Sequence, residues 1–183
     1  MDLGAEFYGY TADVTRTIPA NGVFSPEQKA LYQIVYDSQE AAINAALVGN
    51  SFRSIYKLSY DLVAEGLQQL GIISEVSEAK KYYPHGLSHH IGLDVHDPGN
   101  YGKLEADMVI TVEPGIYIPE NSPCDPKWWN IGIRIEDDVL ITQFGPVNLS
   151  AGAPRDWEGI EAMMQQESAL KDFILPNIKT LID

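Results

Sequence analysis

Cysteine is nearly absent: Cys124 is the only one in 183 residues. No intrachain disulfide can form, so packing must hold the fold, and a reducing, cytoplasmic setting is expected. Basic residues are also scarce, with 12 Lys and Arg against 26 Asp and Glu and a net charge of −14. That balance excludes the basic footprint of a nucleic-acid-binding surface, and attraction to anionic membranes. No apolar run approaches the roughly 20 residues of a membrane span. The opening residues, Met1 to Glu6, lack the basic region of a signal peptide. There is no internal repeat and no low-complexity segment. Histidine numbers only four, and all four lie between positions 85 and 96.

What is present suits one folded domain. Hydrophobic residues make up 45% of the chain, enough for a sizeable core at this length. Residues 2–18 read as two short strands joined near Tyr8-Gly9, with Val14, Thr15, Thr17 and Ile18 as good strand formers. Ser25-Pro26-Glu27-Gln28 reads as a helix start, with Ser25 as N-cap and Gln28 completing a capping box. Leu31, Ile34, Val35, Ala41, Ala42 and Ala45 continue a helical stripe that Gly49 closes. A second helix is predicted from about Ser54 to Leu70, ending at Gly71. Residues 72–84 read as a short helix and loop. Met108–Ile118 and Ile131–Thr142 read as strands, and Asp156 as the cap of a last helix through Ile160, Met163 and Met164. The tail from Gln165 carries no signal beyond that of a further helix.

The chemistry concentrates in His85–Asp97, where four imidazoles and two carboxylates fall within thirteen residues. Imidazole is the commonest protein metal ligand and suits proton transfer near neutral pH; a polar loop with incidental histidines is the plainer alternative. Asp2 and Asp13, eleven residues apart, flank the first turn. A hairpin centred between Phe7 and Tyr8 would set them face to face, about 4.5–5.5 Å apart at Cβ. Two carboxylates so placed call for a cation, unless both are exposed.

Glu113 and Glu136 interrupt strongly apolar strands, which is costly unless the carboxylates are paired or metal-bound. Along the second strand Ile131, Ile133 and Ile135 share one face, and Arg134, Glu136 and Asp138 the other. An Arg134 salt-bridge network is the structural alternative. If the two acidic pairs and the histidines share one site, four carboxylates balance two divalent cations. Oxygen-rich ligation with one imidazole suits Mn²⁺ or Co²⁺, with Zn²⁺ also compatible. Two such ions can share a water and lower its pKa.

Four motifs now align in order: residues 2–17, the His85–Asp97 stretch, Thr-Val-Glu-Pro-Gly-Ile-Tyr at 111–117, and Gly-Ile-Arg-Ile-Glu-Asp-Asp at 132–138. Together they resemble the Xaa-Pro peptidases (aminopeptidase P and prolidase) among the pita-bread metallopeptidases. The resemblance implies an α+β fold, a curved antiparallel sheet with helices on its outer face, over residues 1–164, with 165–183 as a tail. It implies metal ligands at Asp2, Asp13, His89, Glu113 and Glu136, with Asp13 and Glu136 bridging two ions. Glu113 would also shuttle the proton, His85 and His96 would contact substrate, and Arg134 would orient Glu136 and its neighbours. The implied activity is hydrolysis of the bond before proline in peptides with proline second, by a homo-oligomer, with Mn²⁺ as the expected metal. Asp125–Asn130 resembles aminopeptidase P more than prolidase.

The resemblance also places a further domain, strands and an active-site histidine ahead of the first aspartate. A C-terminal fragment, truncated at its N-terminus and impaired in activity, is therefore expected. Asp2 on a frayed terminal strand would make its ion the weaker one. A prolidase, a methionine aminopeptidase-like or creatinase-like enzyme, and a non-catalytic pita-bread module that binds a protein partner are the competing readings.

Overall fold

The computed structural model describes residues 1–168 and Asp172; the predicted tail helix otherwise lies outside the described residues. Its architecture is α+β, as expected. Strands β1 (Asp2–Leu3), β2 (Glu6–Phe7), β3 (Tyr10–Thr11) and β4 (Val14–Thr15) come first. Helices α1 (Pro26–Ala45) and α2 (Phe52–Gln69) follow, then a 3₁₀ turn at Val76–Lys81. Strands β5 (Val109–Val112), β6 (Gly115–Ile118), β7 (Ile131–Arg134), β8 (Asp137–Thr142) and β9 (Gly145–Asn148) precede helix α3 (Trp157–Met164). All the pairings are antiparallel: β1 with β4, β2 with β3, β6 with β7, and β8 between β5 and β9.

The opening hairpin forms, one register step from the centred arrangement that would oppose the aspartates. Tyr8 and Gly9 both have positive φ, 52° and 85°, the backbone of a two-residue turn between twisted strands. This moves the centre of the hairpin to Tyr8-Gly9. Asp2 therefore faces Thr15, and Asp13 stands diagonally from Asp2 on the same face. Across from Asp13 the chain carries Gly4, where a Cβ would meet the Ala12 carbonyl oxygen at 1.7 Å. The terminal strand is also tied down, contrary to the fraying expected of it. The Met1 amino group donates to the Arg16 carbonyl at 2.8 Å, and the Arg16 N–H returns a bond to the Met1 carbonyl at 2.9 Å.

Helix α1 starts as predicted: Ser25 Oγ accepts from the Gln28 N–H, and Gln28 Oε1 from the Ser25 N–H. Helix α2 starts earlier than predicted. Its cap is Ser51, and Ser54 closes the capping box instead of opening the helix. Asp156 caps α3 by accepting from the Gly159 N–H at 2.6 Å.

The two long strands predicted at 108–118 and 131–142 are each broken in two. Glu113-Pro114 separates β5 from β6, and Ile135-Glu136 separates β7 from β8. Proline has no N–H for the ladder, so the first break falls where the motif carries Pro114. Each broken strand feeds two cores. Ile116, Ile118, Ile133 and Ile135 pack with Leu31, Tyr32, Val63 and Leu67. Ile110, Val112, Val139 and Ile141 pack with Ala42, Ile43, Phe52 and Ile55. Helix α1 backs both cores, and both glutamates sit at the seam between them.

Behind that seam lies a buried ion pair. Asp137 is fully buried, and Arg16 donates to its Oδ1 at 2.7 Å. Arg16 also donates to the carbonyls of Thr15 and Glu136 at 2.9 and 2.7 Å, and to those of Ala153 and Pro154 at 3.1 and 3.0 Å. Gln39 on α1 donates to the other oxygen of Asp137 at 3.0 Å. In the run Glu136-Asp137-Asp138, strand alternation thus sends the middle carboxylate toward α1 and leaves its neighbours on the opposite face.

Candidate metal centre

Three groups of donor atoms, each gathered within 4.8 Å, overlap at the strand breaks. One is Asp2, Asp13 and Glu136; a second is His89, Glu113 and Glu136; a third is Asp13, His89 and His96. All five ligands implied by the sequence resemblance meet here. Glu136, Asp13 and His89 each join two groups. His96 comes within ligand range as well, its ring 4.4 Å from that of His89.

Three of the four imidazoles, those of His85, His89 and His90, are oriented by backbone carbonyls. His89 Nδ1 lies 2.9 Å from the His90 carbonyl oxygen, which can only accept, so Nδ1 carries the proton. That leaves the Nε2 lone pair facing Asp13 and Glu113, at 3.6 and 3.5 Å. By the same logic His85 Nδ1 donates to the Gly86 carbonyl at 2.7 Å, and its Nε2 meets the Tyr117 hydroxyl at 2.9 Å. Burial pulls the His85 pKa down, a bond to Gly86 opposes that, and Arg134 adds to the fall; the ring is thus held neutral. His90 points away, its ring between Phe52 and Tyr101 and its Nε2 donating to the Asn100 carbonyl. It is a core histidine. Asp94 and Asp97, the carboxylates of the histidine stretch, join none of the three groups.

Arg134 does not touch Glu136 directly. Its guanidinium grips Asp2 at 2.6 Å and donates to Thr15 Oγ1 at 3.1 Å, and that hydroxyl donates onward to Glu136 Oε2 at 2.5 Å. Arg134 also reaches the Tyr117 hydroxyl at 3.3 Å. Replacing Arg134 with Ala is expected to loosen metal binding less than loss of a ligand would. The Arg134–Asp2 pair is partly exposed, so it is worth about 1 kcal/mol, a fall in melting temperature of roughly 2–4 °C for a domain of this size. A melt superimposable on wild type would mean that these bonds are idle.

Thr15, Tyr117, Thr111 and Asp138 escape sequence reading. Thr111 Oγ1 accepts from the His89 N–H at 3.1 Å. Asp138 accepts from the Asp13 N–H at 3.1 Å, while its Oδ1 is buried without a partner. For Asp138 the signal was available, since it shares the strand face of Glu136. The hydroxyls carry no comparable mark.

The carboxylates repel one another and are shielded from water. Burial, then neighbouring carboxylates, raise Glu136 to about 8, despite the Thr15 bond that opposes the shift. Burial raises Glu113 to about 7 and Asp138 to about 6. Burial and the neighbouring Asp2 raise Asp13. Such a cluster fits divalent cations: the donors are oxygen-rich, they converge, and they are strained electrostatically without positive charge between them. The sign of the pH effect follows. Acids whose folded pKa lies above the unfolded value give full stability only below that value, and lose it as pH rises through the folded one. The metal-free chain should therefore melt at progressively lower temperature from pH 5 to pH 8.5, and divalent metal should abolish that decline. Scanning calorimetry at five pH values, with chelator and with metal, checks it; a flat metal-free profile would show that the acids are not strained.

Known proteins resemble this chain over most of its length. Metallopeptidase family M24 matches residues 1–143. The Xaa-Pro aminopeptidase of Haemophilus influenzae is 41% identical over 90% of this chain and 41% of its own length. Human Xaa-Pro aminopeptidase 3 is 40% identical over 92% of this chain and 35% of its own. Among solved structures, proline aminopeptidase P II from Yersinia pestis superposes with a TM-score of 0.86 at 41% identity, over 89% of this chain and 40% of that one. Zinc-substituted aminopeptidase P of Escherichia coli in complex with product gives 0.87 at 40% identity, over 91% and 41%. The fold is accordingly the pita-bread fold that the sequence resemblance implies. The chain spans about two fifths of the length of these relatives.

Proposed function

This chain belongs to metallopeptidase family M24, and on that premise we propose that its site hydrolyses the peptide bond before a proline in second position. The observation that carries the reading is the convergence of Asp2, Asp13, His89, Glu113 and Glu136 in overlapping donor groups. Names of the relatives support the Xaa-Pro preference over the methionine aminopeptidase-like and non-catalytic readings. Proline has no N–H, so recognition through strand-like hydrogen bonds is weakened, and a site gripping the free amino end serves instead.

Two divalent ions, Mn²⁺ first among Mn²⁺, Co²⁺ and Zn²⁺, would be held by Asp2 with Asp13 and Glu136, and by His89 and Glu113 with Asp13 and Glu136. When bound they supply a water of lowered pKa and polarise the attacked carbonyl. The chain's own groups do the rest. Glu113, raised to about 7 by burial in the metal-free chain, takes the proton that water releases and returns it to the departing proline nitrogen. His85 and His96 flank Glu113 and His89 on the open side. His96 donates to the peptide's oxygens as charge develops, while His85, its one N–H held by the Gly86 carbonyl, accepts from the Tyr117 hydroxyl and contacts the peptide through its ring. Arg134 and Thr15 hold Asp2 and Glu136 in place.

We extend the proposal to a catalytic unit over residues 1–164, a cytoplasmic setting and a homo-oligomer, supported by the one cysteine and by the family resemblance. No helix among the described residues is long and apolar enough to cross a membrane. Turnover of Ala-Pro-Leu against Ala-Ala-Leu, with metal and with chelator, tests the reading. Metal-dependent cleavage confined to the proline peptide is expected. Equal cleavage of both peptides would contradict it, as would activity surviving chelation.

A further inference from the structure

Three pockets lie in a row across the site. The first, about 490 Å³, is walled by Asp2, Glu6, Asp13 and His96. His96 is shared with the second, about 470 Å³, which holds His85, His89 and Glu113. Gly86, Ser88 and Tyr101 are shared in turn with a third pocket of about 300 Å³. That third pocket takes no part in the chemistry proposed above. Its walls are Phe52, Tyr56, Leu87 and Tyr101, with Arg53 beside them. Ser88 Oγ, on the shared wall, is buried without a hydrogen-bond partner.

The row is polarised. Its first end is acidic. At the far end stand cations that the protein itself does not neutralise. Of the lysines and arginines among the described residues, only Arg53, Lys80 and Lys103 form no ion pair with another described residue; the other seven do. Arg53 lines this pocket, and Lys103 stands on the chain segment paired alongside it. Lys103 pairs backbone with Ser51, two residues before Arg53, and stands two residues after Tyr101. In a chain with net charge −14, leaving both free beside an apolar pocket is a feature that the core does not require.

Resting on the peptidase reading, we propose that this third pocket is a subsite for the leaving peptide. The residue after proline places an apolar side chain against Phe52, Tyr56 and Tyr101, and its free C-terminal carboxylate meets Arg53, with Lys103 behind it. The peptide's ammonium then lies toward the opposite end, where Glu6 is the acidic wall residue not assigned to metal, so the two ends of the row receive the two ends of the substrate. Short peptides ending in an apolar residue would be the preferred substrates.

The test is titration calorimetry of the Mn²⁺-loaded full chain with uncleavable leaving products: Pro-Leu, Pro-Leu-amide, Pro-Gly and Pro-Asp-amide. Pro-Leu should bind roughly tenfold more tightly than its amide, a modest value for a charge-assisted bond to arginine, and more tightly than Pro-Gly. Arg53→Ala should erase the acid-over-amide difference while leaving affinity for the amide unchanged, and Arg53→Lys should restore part of it. Equal binding of Pro-Leu and its amide by the wild type would overturn the subsite. So would an acid preference that survives Arg53→Ala. If Pro-Asp-amide matches Pro-Leu, the cation reads side-chain carboxylates and the C-terminal assignment falls. Cleavage of Ala-Pro-Leu separates the two readings: with cleavage intact and no acid preference only the subsite fails, whereas if no proline peptide is bound or cleaved both do.

Discussion

Replacing Glu136 with Gln should lower the affinity for divalent metal by at least about 100-fold, the upper end of what removing even an outer partner costs. Glu136 is the residue common to the Asp2–Asp13 group and the His89–Glu113 group, so both ions proposed for the site would lose a shared oxygen at once. The effect on stability should change sign with metal. With saturating Mn²⁺ the variant should melt below wild type. With chelator at pH 8.5 it should melt at or above wild type, because a neutral amide replaces an acid that burial pushes up to about 8. Metal titration and melting of both proteins, with and without chelator, decide it. Unchanged stoichiometry and affinity would remove Glu136 from the shared position.

Arg16→Ala should be the most damaging substitution outside the metal centre. It leaves the carboxylate of Asp137, fully buried, without its closest cation. Breaking a buried pair from one side typically costs roughly 3–5 kcal/mol, a large part of the stability of a domain this size. Arg155, whose Nε is 3.8 Å from Asp137, recovers part of the loss. Arg16 also donates to the Glu136 carbonyl, so metal affinity should fall along with stability. Asp137→Asn should be milder, since the amide oxygen still accepts from Arg16. Urea unfolding of the three proteins measures the order. A variant at position 16 as stable as wild type would show that the pair is dispensable.

The contrast between these two sites shows what could be read from the sequence. A shared site was legible because a lone carboxylate in an apolar strand, or histidines crowded into one stretch, is costly without a partner; the choice of the five candidate ligands came from the family resemblance. Helix starts at Ser25 and Asp156 were legible because capping is local chemistry. The start of α2 was missed by a few residues because Ser51 and Ser54 both qualify and the structure uses both, at opposite ends of one capping box. The turn near Tyr8-Gly9 was legible, but a register opposing Asp2 to Asp13 was one step off, because Tyr8, a bulky residue holding positive φ, sits inside the turn where no propensity favours it. Strand β9 passed unnoticed because Gly145-Pro146 reads as a turn, yet an edge position tolerates it. Asp137 and Asp138 are neighbours of one type, and only the tertiary placement of Arg16 and α1 tells the structural carboxylate from the one facing the site. The partners of Arg134 were beyond reach for the same reason: Asp2 and Thr15 are brought to it by strand pairing across more than a hundred residues.

The tied N-terminal strand bears on how many ions this chain holds. Backbone bonds between Met1 and Arg16 and the Arg134 contact position Asp2, so fixing it on metal binding costs less than ordering a free end would. Its side chain is still 54% exposed, whereas those of His89 and Asp13 are each 13% exposed, so the ion on the Asp2 side should be the weaker one. Metal analysis after equilibrium dialysis against graded Mn²⁺, repeated with Asp2→Ala and Glu113→Ala, tests the centre most directly. Two ions per chain are expected, with Asp2→Ala removing the weaker and Glu113→Ala weakening the tighter. Binding of no ion, or of ions indifferent to both replacements, would contradict the metal centre described here.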